Sequence, residues 1–236
     1  MIAQLTRHPL DDVVVVPMRR RHLRAVLGIE RRAYPRPWSP ALFVAELERR
    51  DTRRYLVALA PRRGPGALGQ LRPGREVVGY AGLILEPVPR GEPRTPEAVI
   101  QGGEAHVTTV AVDPRHHRRK LATRLLLALL TEARRAGAPA ATLEVRVANR
   151  GAQRLYAAFG FVPVGVRPGY YAETGEDALV MWAHDLQGQE MAARLAVQAA
   201  RLGEPGGASG APDLHVPWVQ GRIGLHDPSR DDGTAG

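Results

Sequence analysis

Two stretches of the 236-residue sequence gather residues that could do chemistry. The first runs Thr109-Val110-Ala111-Val112-Asp113-Pro114, then Arg115-His116-His117-Arg118-Arg119-Lys120-Leu121-Ala122-Thr123-Arg124. A β-branched run enters a basic turn, and the turn enters a helical pattern. The first turn of a helix presents N–H groups without intrahelical partners and the positive end of the helix dipole, which together suit a phosphate. Arg118 and Arg119 add charge at that end. The same residues also read as a basic helix N-terminus with no ligand, and this stretch alone does not separate the two. The second stretch is Leu143-Glu144-Val145-Arg146, followed by Asn149, Ala152, Leu155, Tyr156, Gly160 and Phe161. Strand alternation gives Glu144 and Arg146 a shared face, where the carboxylate could pair with the guanidinium.

Composition removes other chemistries. There is no cysteine, which excludes disulfides, thiolate metal sites and a cysteine nucleophile. His106, His116 and His117 read as solvated, and neither a metal constellation nor a Ser-His-Asp arrangement stands out; no metal is expected. No window approaches the long uncharged apolar run of a membrane span, and Met1–Pro17 lacks the layout of a signal peptide. The expectation is a cytoplasmic protein. The formal net charge is +9. From Gln187 to Gly236 four Arg stand against six Asp or Glu, so the basic excess lies on residues 1–186. Such a surface favours nucleotide phosphates, RNA or a ribosome. Equally, it can reflect a compositional preference for Arg, since Lys120 is the only lysine.

The elements that must position these residues follow from periodicity. Val13–Pro17 reads as a strand and Met18–Arg32 as a helix with Leu23, Val26, Leu27 and Ile29 on one face. The segment Tyr34-Pro35-Arg36-Pro37-Trp38-Ser39-Pro40 breaks the pattern; Ser39 caps a new helix with Pro40 at its first position. Tyr55–Ala60 and Glu76–Leu85 read as a strand hairpin around the Gly/Pro-rich loop Pro61–Arg75. A second such excursion covers Pro87–Gly103. Strands are expected at Ala105–Val112, Ala140–Val147, Phe161–Val166 and Ala178–Ala183, with helices at Arg119–Ala136 and Gly151–Phe159. Gln189–Leu202 reads as a helix with Met191, Leu195 and Leu202 on one side. Gly203–Gly236 reads as disordered. The division is an N-terminal extension over 1–12, a mixed α/β domain over 13–186, and a C-terminal extension over 187–236.

Together the two stretches resemble the GNAT acetyltransferases, whose cofactor turn reads R/Q-x-x-G-x-G/A and whose later motif reads N-x-x-A-x-x-L-Y-x-x-x-G-F. Every letter of the later motif is present from Asn149 to Phe161. The resemblance covers roughly residues 13–186 and implies a central mixed twisted sheet flanked by helices. It implies acetyl-CoA as co-substrate, with Glu144 as general base and Tyr156 as general acid to the departing thiolate. Cofactor contacts would come from Val110, Ala111 and Val112, from the turn Arg118, Arg119, Lys120, Leu121, Ala122 and Thr123, and from Asn149. Tyr34–Ser39, Leu143–Arg146, Arg167-Pro168-Gly169-Tyr170-Tyr171 and Glu176-Asp177-Ala178 are similar to the RimI branch of the family. That likeness implies an acceptor groove with Trp38, Arg146, Tyr170 and Tyr171, and a protein N-terminus, that of a ribosomal protein, as acceptor. The same chemistry on a lysine side chain, a polyamine or another small molecule, and a non-catalytic ribosome- or RNA-binding module, are the alternatives; direct nucleic-acid binding is not expected. One departure stands out. Lys120 occupies the position of the first glycine of the cofactor turn, with His117 at its opening. A left-handed backbone there strains a non-glycine residue by about 1 kcal/mol, which an ammonium reaching a phosphate would offset.

Overall fold

A computed structural model describes residues 13–62, 74–85 and 103–203. The N-terminal extension over 1–12, most of the two Gly/Pro-rich excursions and residues 204–236, on which the expectation of a disordered tail falls, lie outside the described residues. Seven strands form one mixed sheet: β1 (Val14–Pro17), β2 (Arg53–Pro61), β3 (Arg75–Leu85), β4 (Ala105–Val112), β5 (Ala141–Arg146), β6 (Val162–Tyr171) and β7 (Glu176–Ala183). Their order is β1-β2-β3-β4-β5-β7-β6. Every neighbouring pair is antiparallel except β4 and β5.

Helices cover both faces, as the alternation of the strands requires. On one side lie α1 (Leu23–Ala33) and α2 (Pro40–Glu48). Val26, Ile29 and Phe43 from these helices share a buried cluster with Tyr55, Val57, Tyr80 and Ala111 of the sheet. The Ser39 hydroxyl accepts the Leu42 N–H at 3.1 Å, and Pro40 opens the helix, the arrangement expected of these residues. On the other side lie α3 (Leu121–Arg135), α4 (Arg150–Ala158) and α5 (Gln189–Arg201). Leu125, Leu126, Leu129 and Leu130 of α3 are wholly buried against Leu56, Ala58, Val78 and Leu83. Met191, Leu195 and Leu202 enter the same core, so apolar packing continues past Leu186.

α3 begins two residues later than its periodicity suggests. Arg118 and Lys120 both adopt left-handed backbone, with φ of 64° and 53°, and a helix cannot start until they are passed. The Lys120 ammonium donates to the Arg201 carbonyl at 2.9 Å, at the C-terminal end of α5. The strain foreseen at this position is therefore present, and the ammonium expected to offset it is engaged by a helix end. Lys120→Gly removes roughly 1 kcal/mol of strain and an exposed hydrogen bond worth about the same. Its melting temperature should lie within a few degrees of the wild type. Lys120→Val keeps the strain, adds a β-branched side chain at positive φ and loses the bond, and should melt roughly 5 °C lower. A valine variant as stable as the wild type in a thermal scan would show that the turn is not held at positive φ.

Candidate active site

The site grows from a gap in the sheet. β4 and β5 pair through Ala105 with Ala141 and His106 with Thr142, and then separate. The cause lies in β4: Gly82 of β3 faces Thr109 and Leu83 faces Val107, so Thr108 is one residue too many and the strand bulges. Gly82 is required there, because a Cβ would fall 2.4 Å from the Tyr55 ring and 2.7 Å from the Thr108 hydroxyl. Beyond the bulge, the Asp113 N–H donates to the Val78 carbonyl at 2.9 Å. Alternation then turns the Ala111 N–H to β3 as well, and the N–H groups of Val110 and Val112 away from it, into the gap. Ala111, expected among the cofactor contacts, is the exception: its N–H faces β3 and its methyl group is buried under α1 and α2.

At the mouth of this gap sits the N-terminus of α3. Its first i→i−4 hydrogen bond runs from the Arg124 N–H to the Lys120 carbonyl, which leaves the N–H groups of Leu121, Ala122 and Thr123 without partners inside the helix. The Leu121 side chain is buried in the core, so that residue can offer only its backbone. Arg118 and Arg119 are exposed beside it. Asp113 shapes the approach: its buried carboxylate accepts the Arg115 N–H at 3.0 Å and binds the guanidinium groups of Arg115 and Arg32 at 2.7 and 2.6 Å. These bonds, with that of Arg115 foremost, hold its carboxyl well below the usual carboxylate range. The residues present thus fit a pyrophosphate at the helix end and an extended chain along Val110 and Val112.

Tyr156 comes from α4. The side chain of Asn149, a residue expected among the cofactor contacts, caps that helix by accepting the Ala152 N–H at 3.0 Å. The Tyr156 ring stands edge-on to Phe161, 5.9 Å between centroids. Burial pushes its phenol well above the ordinary tyrosine range, and the nearby Tyr34 and Tyr171 push the same way. Tyr34, absent from the expected site, brings its hydroxyl 3.2 Å from that of Thr109 and 3.5 Å from the Val110 carbonyl, at the bulge. Its place in the Tyr34–Ser39 segment was the available signal.

Glu144 stands on the opposite face of β5 from Leu143 and Val145, which share the core with Tyr156. Its side chain is 9% exposed, and its oxygens lie 3.0 Å from an Arg167 nitrogen and 3.3 Å from His106 Nε2. Two expectations are corrected here. The partner of Glu144 is not Arg146, and His106 is not merely solvated: its Nδ1 is 2.9 Å from the Thr142 hydroxyl. Arg146 instead bonds Glu173 and Glu176 and lies 3.8 Å above the Tyr171 ring. Burial pushes the Tyr171 phenol up to about 12. Tyr170 and Tyr171 meet edge to face at 5.1 Å. Trp38 donates its backbone N–H to Glu30 at 2.9 Å and stacks at a tilt on Phe43, 5.4 Å away. The ring is partly buried on the α1/α2 core rather than standing free.

The acetyltransferase (GNAT) family model matches residues 23–161, and the chain belongs to that family. It is an acetyl-CoA-dependent N-acetyltransferase. Within the family, it is 37% identical over 145 residues to the N-alpha-acetyltransferase RimI of Mycobacterium tuberculosis, covering 61% of this chain and 74% of that protein. A Bacillus subtilis protein, provisionally named a ribosomal protein bS18-alanine N-acetyltransferase, is 29% identical over 165 residues, covering 70% of this chain and 91% of its own. The fold recurs in the crystal structure of the Escherichia coli ribosomal-protein-S18-alanine N-acetyltransferase, with a TM-score of 0.55 at 24% identity over 73% of this chain and 94% of that one. It recurs in Arabidopsis thaliana NAA60 in complex with acetyl-CoA, with a TM-score of 0.59 at 17% identity over 73% and 98%. Among the described residues, no helix is long and apolar enough to cross a membrane.

Proposed function

We propose that the protein is a RimI-type cytoplasmic enzyme that moves the acetyl group of acetyl-CoA to the α-amino group of a protein N-terminus, an N-terminal alanine of a small-subunit ribosomal protein. The observation that carries this reading is the nearly buried Glu144 carboxylate beside the aromatic pair Tyr170 and Tyr171, across the strand from a buried Tyr156 phenol. The names of the bacterial relatives support the acceptor class.

Acyl transfer from a thioester to an amine needs a neutral nucleophile, a polarised carbonyl and a protonated leaving thiolate. Leu121–Thr123 N–H groups and Arg118 and Arg119 hold the pyrophosphate. The N–H groups of Val110 and Val112 hold the pantetheine arm and polarise the acetyl carbonyl. Glu144 takes a proton from the acceptor ammonium, directly or through water. The freed nitrogen forms the new C–N bond, the C–S bond breaks, and Tyr156 supplies the proton the sulfur needs. One of the two protons left on the nitrogen departs as the amide forms and the other stays on the amide, while Tyr156 is reprotonated and Glu144 gives its proton to solvent.

The test is to incubate the protein with acetyl-CoA and short peptides that differ at the first residue, alongside free lysine and polyamines. Mass analysis should place the acetyl group on the α-nitrogen and favour alanine at the first position. Modification of lysine Nζ or of polyamines in preference to every α-amine would sink this reading.

A further inference from the structure

A cation already stands against Glu144. We propose that Arg167 gates the acceptor site: its guanidinium occupies the place at Glu144 that the acceptor's α-ammonium takes, and binding exchanges one cation for the other. This rests on the N-terminal acetyltransferase reading above.

A carboxylate as buried as that of Glu144 needs charged or hydrogen-bonding partners, and its two partners among the described residues differ in kind. His106 is fixed. It lies on β4 at the last paired step with β5, and its second ring nitrogen is braced by Thr142. Arg167 is free to leave. It sits on β6, the edge strand, its side chain is 58% exposed, and the pairing of β6 with β7 becomes irregular between Arg167 and Tyr171. Pro168 and Gly169, the latter at φ 61°, follow it directly. A half-exposed arginine gives up such a pair at little cost. The face of Tyr170, 5.7 Å from its guanidinium carbon in the paired position, is a second contact that does not depend on Glu144.

The exchange has two consequences. An ammonium can replace the guanidinium without leaving the buried carboxylate unpaired, whereas an uncharged group cannot. The product is an uncharged amide, so it cannot hold Arg167 away, and return of the guanidinium to Glu144 favours product release. Arg167 thereby sets the preference for a charged N-terminus and shortens the stay of an acetylated one.

The experiment compares wild type with Arg167→Gln and Arg167→Met in steady-state acetylation of an alanine-initiated peptide at low ionic strength. Product inhibition by the acetylated peptide and acetyl-CoA binding by calorimetry are measured beside it. Removal of the competing guanidinium should lower the peptide KM about five-fold, the upper end for a half-exposed ion pair. It should lower the inhibition constant of the acetylated peptide by a similar factor and leave acetyl-CoA affinity unchanged. A raised KM would overturn the gate and make Arg167 a direct acceptor contact. Unchanged kinetics and product inhibition in both variants would overturn it too, leaving a surface ion pair. A wild type that acetylates no α-amine would remove the functional reading and the gate with it. That outcome is distinguishable, because failure of the gate alone leaves the wild type active.

Discussion

Tyr156→Phe should lower kcat by roughly 10²-fold, the low end for general acid catalysis, while leaving acetyl-CoA affinity and melting temperature nearly unchanged. The substitution keeps the ring, its burial and its edge-on contact with Phe161, and removes the hydroxyl alone. Nothing that holds the pyrophosphate or the strand amides is touched, so binding has no reason to change. The pH behaviour is equally specific. Burial raises the phenol's pKa, so the proton stays on oxygen throughout the range in which the enzyme can be assayed. The deficit should therefore be constant with pH, and the wild type should show no alkaline loss of rate below about pH 10 that traces to this group. Pre-steady-state turnover with a saturating peptide gives kcat free of acceptor binding. A loss below about five-fold, or one that appears only in acetyl-CoA affinity, would make Tyr156 a packing residue.

The parts of the fold that local pattern controls could be read from the sequence, and those that long-range pairing controls could not. Ala105–Val112 is a β-branched run with alternating burial, and its bounds agree with β4. The periodicity of Met191, Leu195 and Leu202 marks α5, but nothing local says that its C-terminal carbonyls meet Lys120 and Arg124 at the cofactor turn. The left-handed turn was legible only because a glycine is the family's residue at the position of Lys120. The partner of Glu144 shows the limit most clearly. Strand alternation points to Arg146, and alternation is correct about the shared face. Glu173 in the β6–β7 turn and Glu176 at the start of β7 claim that guanidinium first. Arg167 reaches Glu144 only because β7 lies between β5 and β6, aligning Arg146, Ala178 and Arg167 across three strands. No spacing in the sequence carries that register. Ala111 fails for a smaller reason: which alternate N–H groups face the gap depends on the bulge at Thr108, a parity that the residues do not announce.

The base can be tested against the same network. Glu144→Gln keeps the shape of the side chain and an oxygen for Arg167 or His106, but cannot accept a proton. A free α-amine has a pKa of about 8, so near pH 6.5 almost all acceptor is ammonium and must be deprotonated on the enzyme. There the variant should lose about 10²-fold in kcat/KM. Each unit of pH towards 8 raises the neutral fraction close to tenfold, and above it little deprotonation remains to be done. By pH 9.5 the deficit should shrink to roughly tenfold or less, the residue being what Glu144 contributes by orienting the amine. Stability should barely move. Arg146 keeps Glu173 and Glu176, and Arg167 is exposed enough to turn to water. A pH series of kcat/KM with one alanine-initiated peptide, beside thermal scans of both proteins, separates the cases. A deficit constant across pH, accompanied by a melting temperature several degrees lower, would make Glu144 a structural partner of Arg167 and His106. Deprotonation of the acceptor would then fall to bulk water.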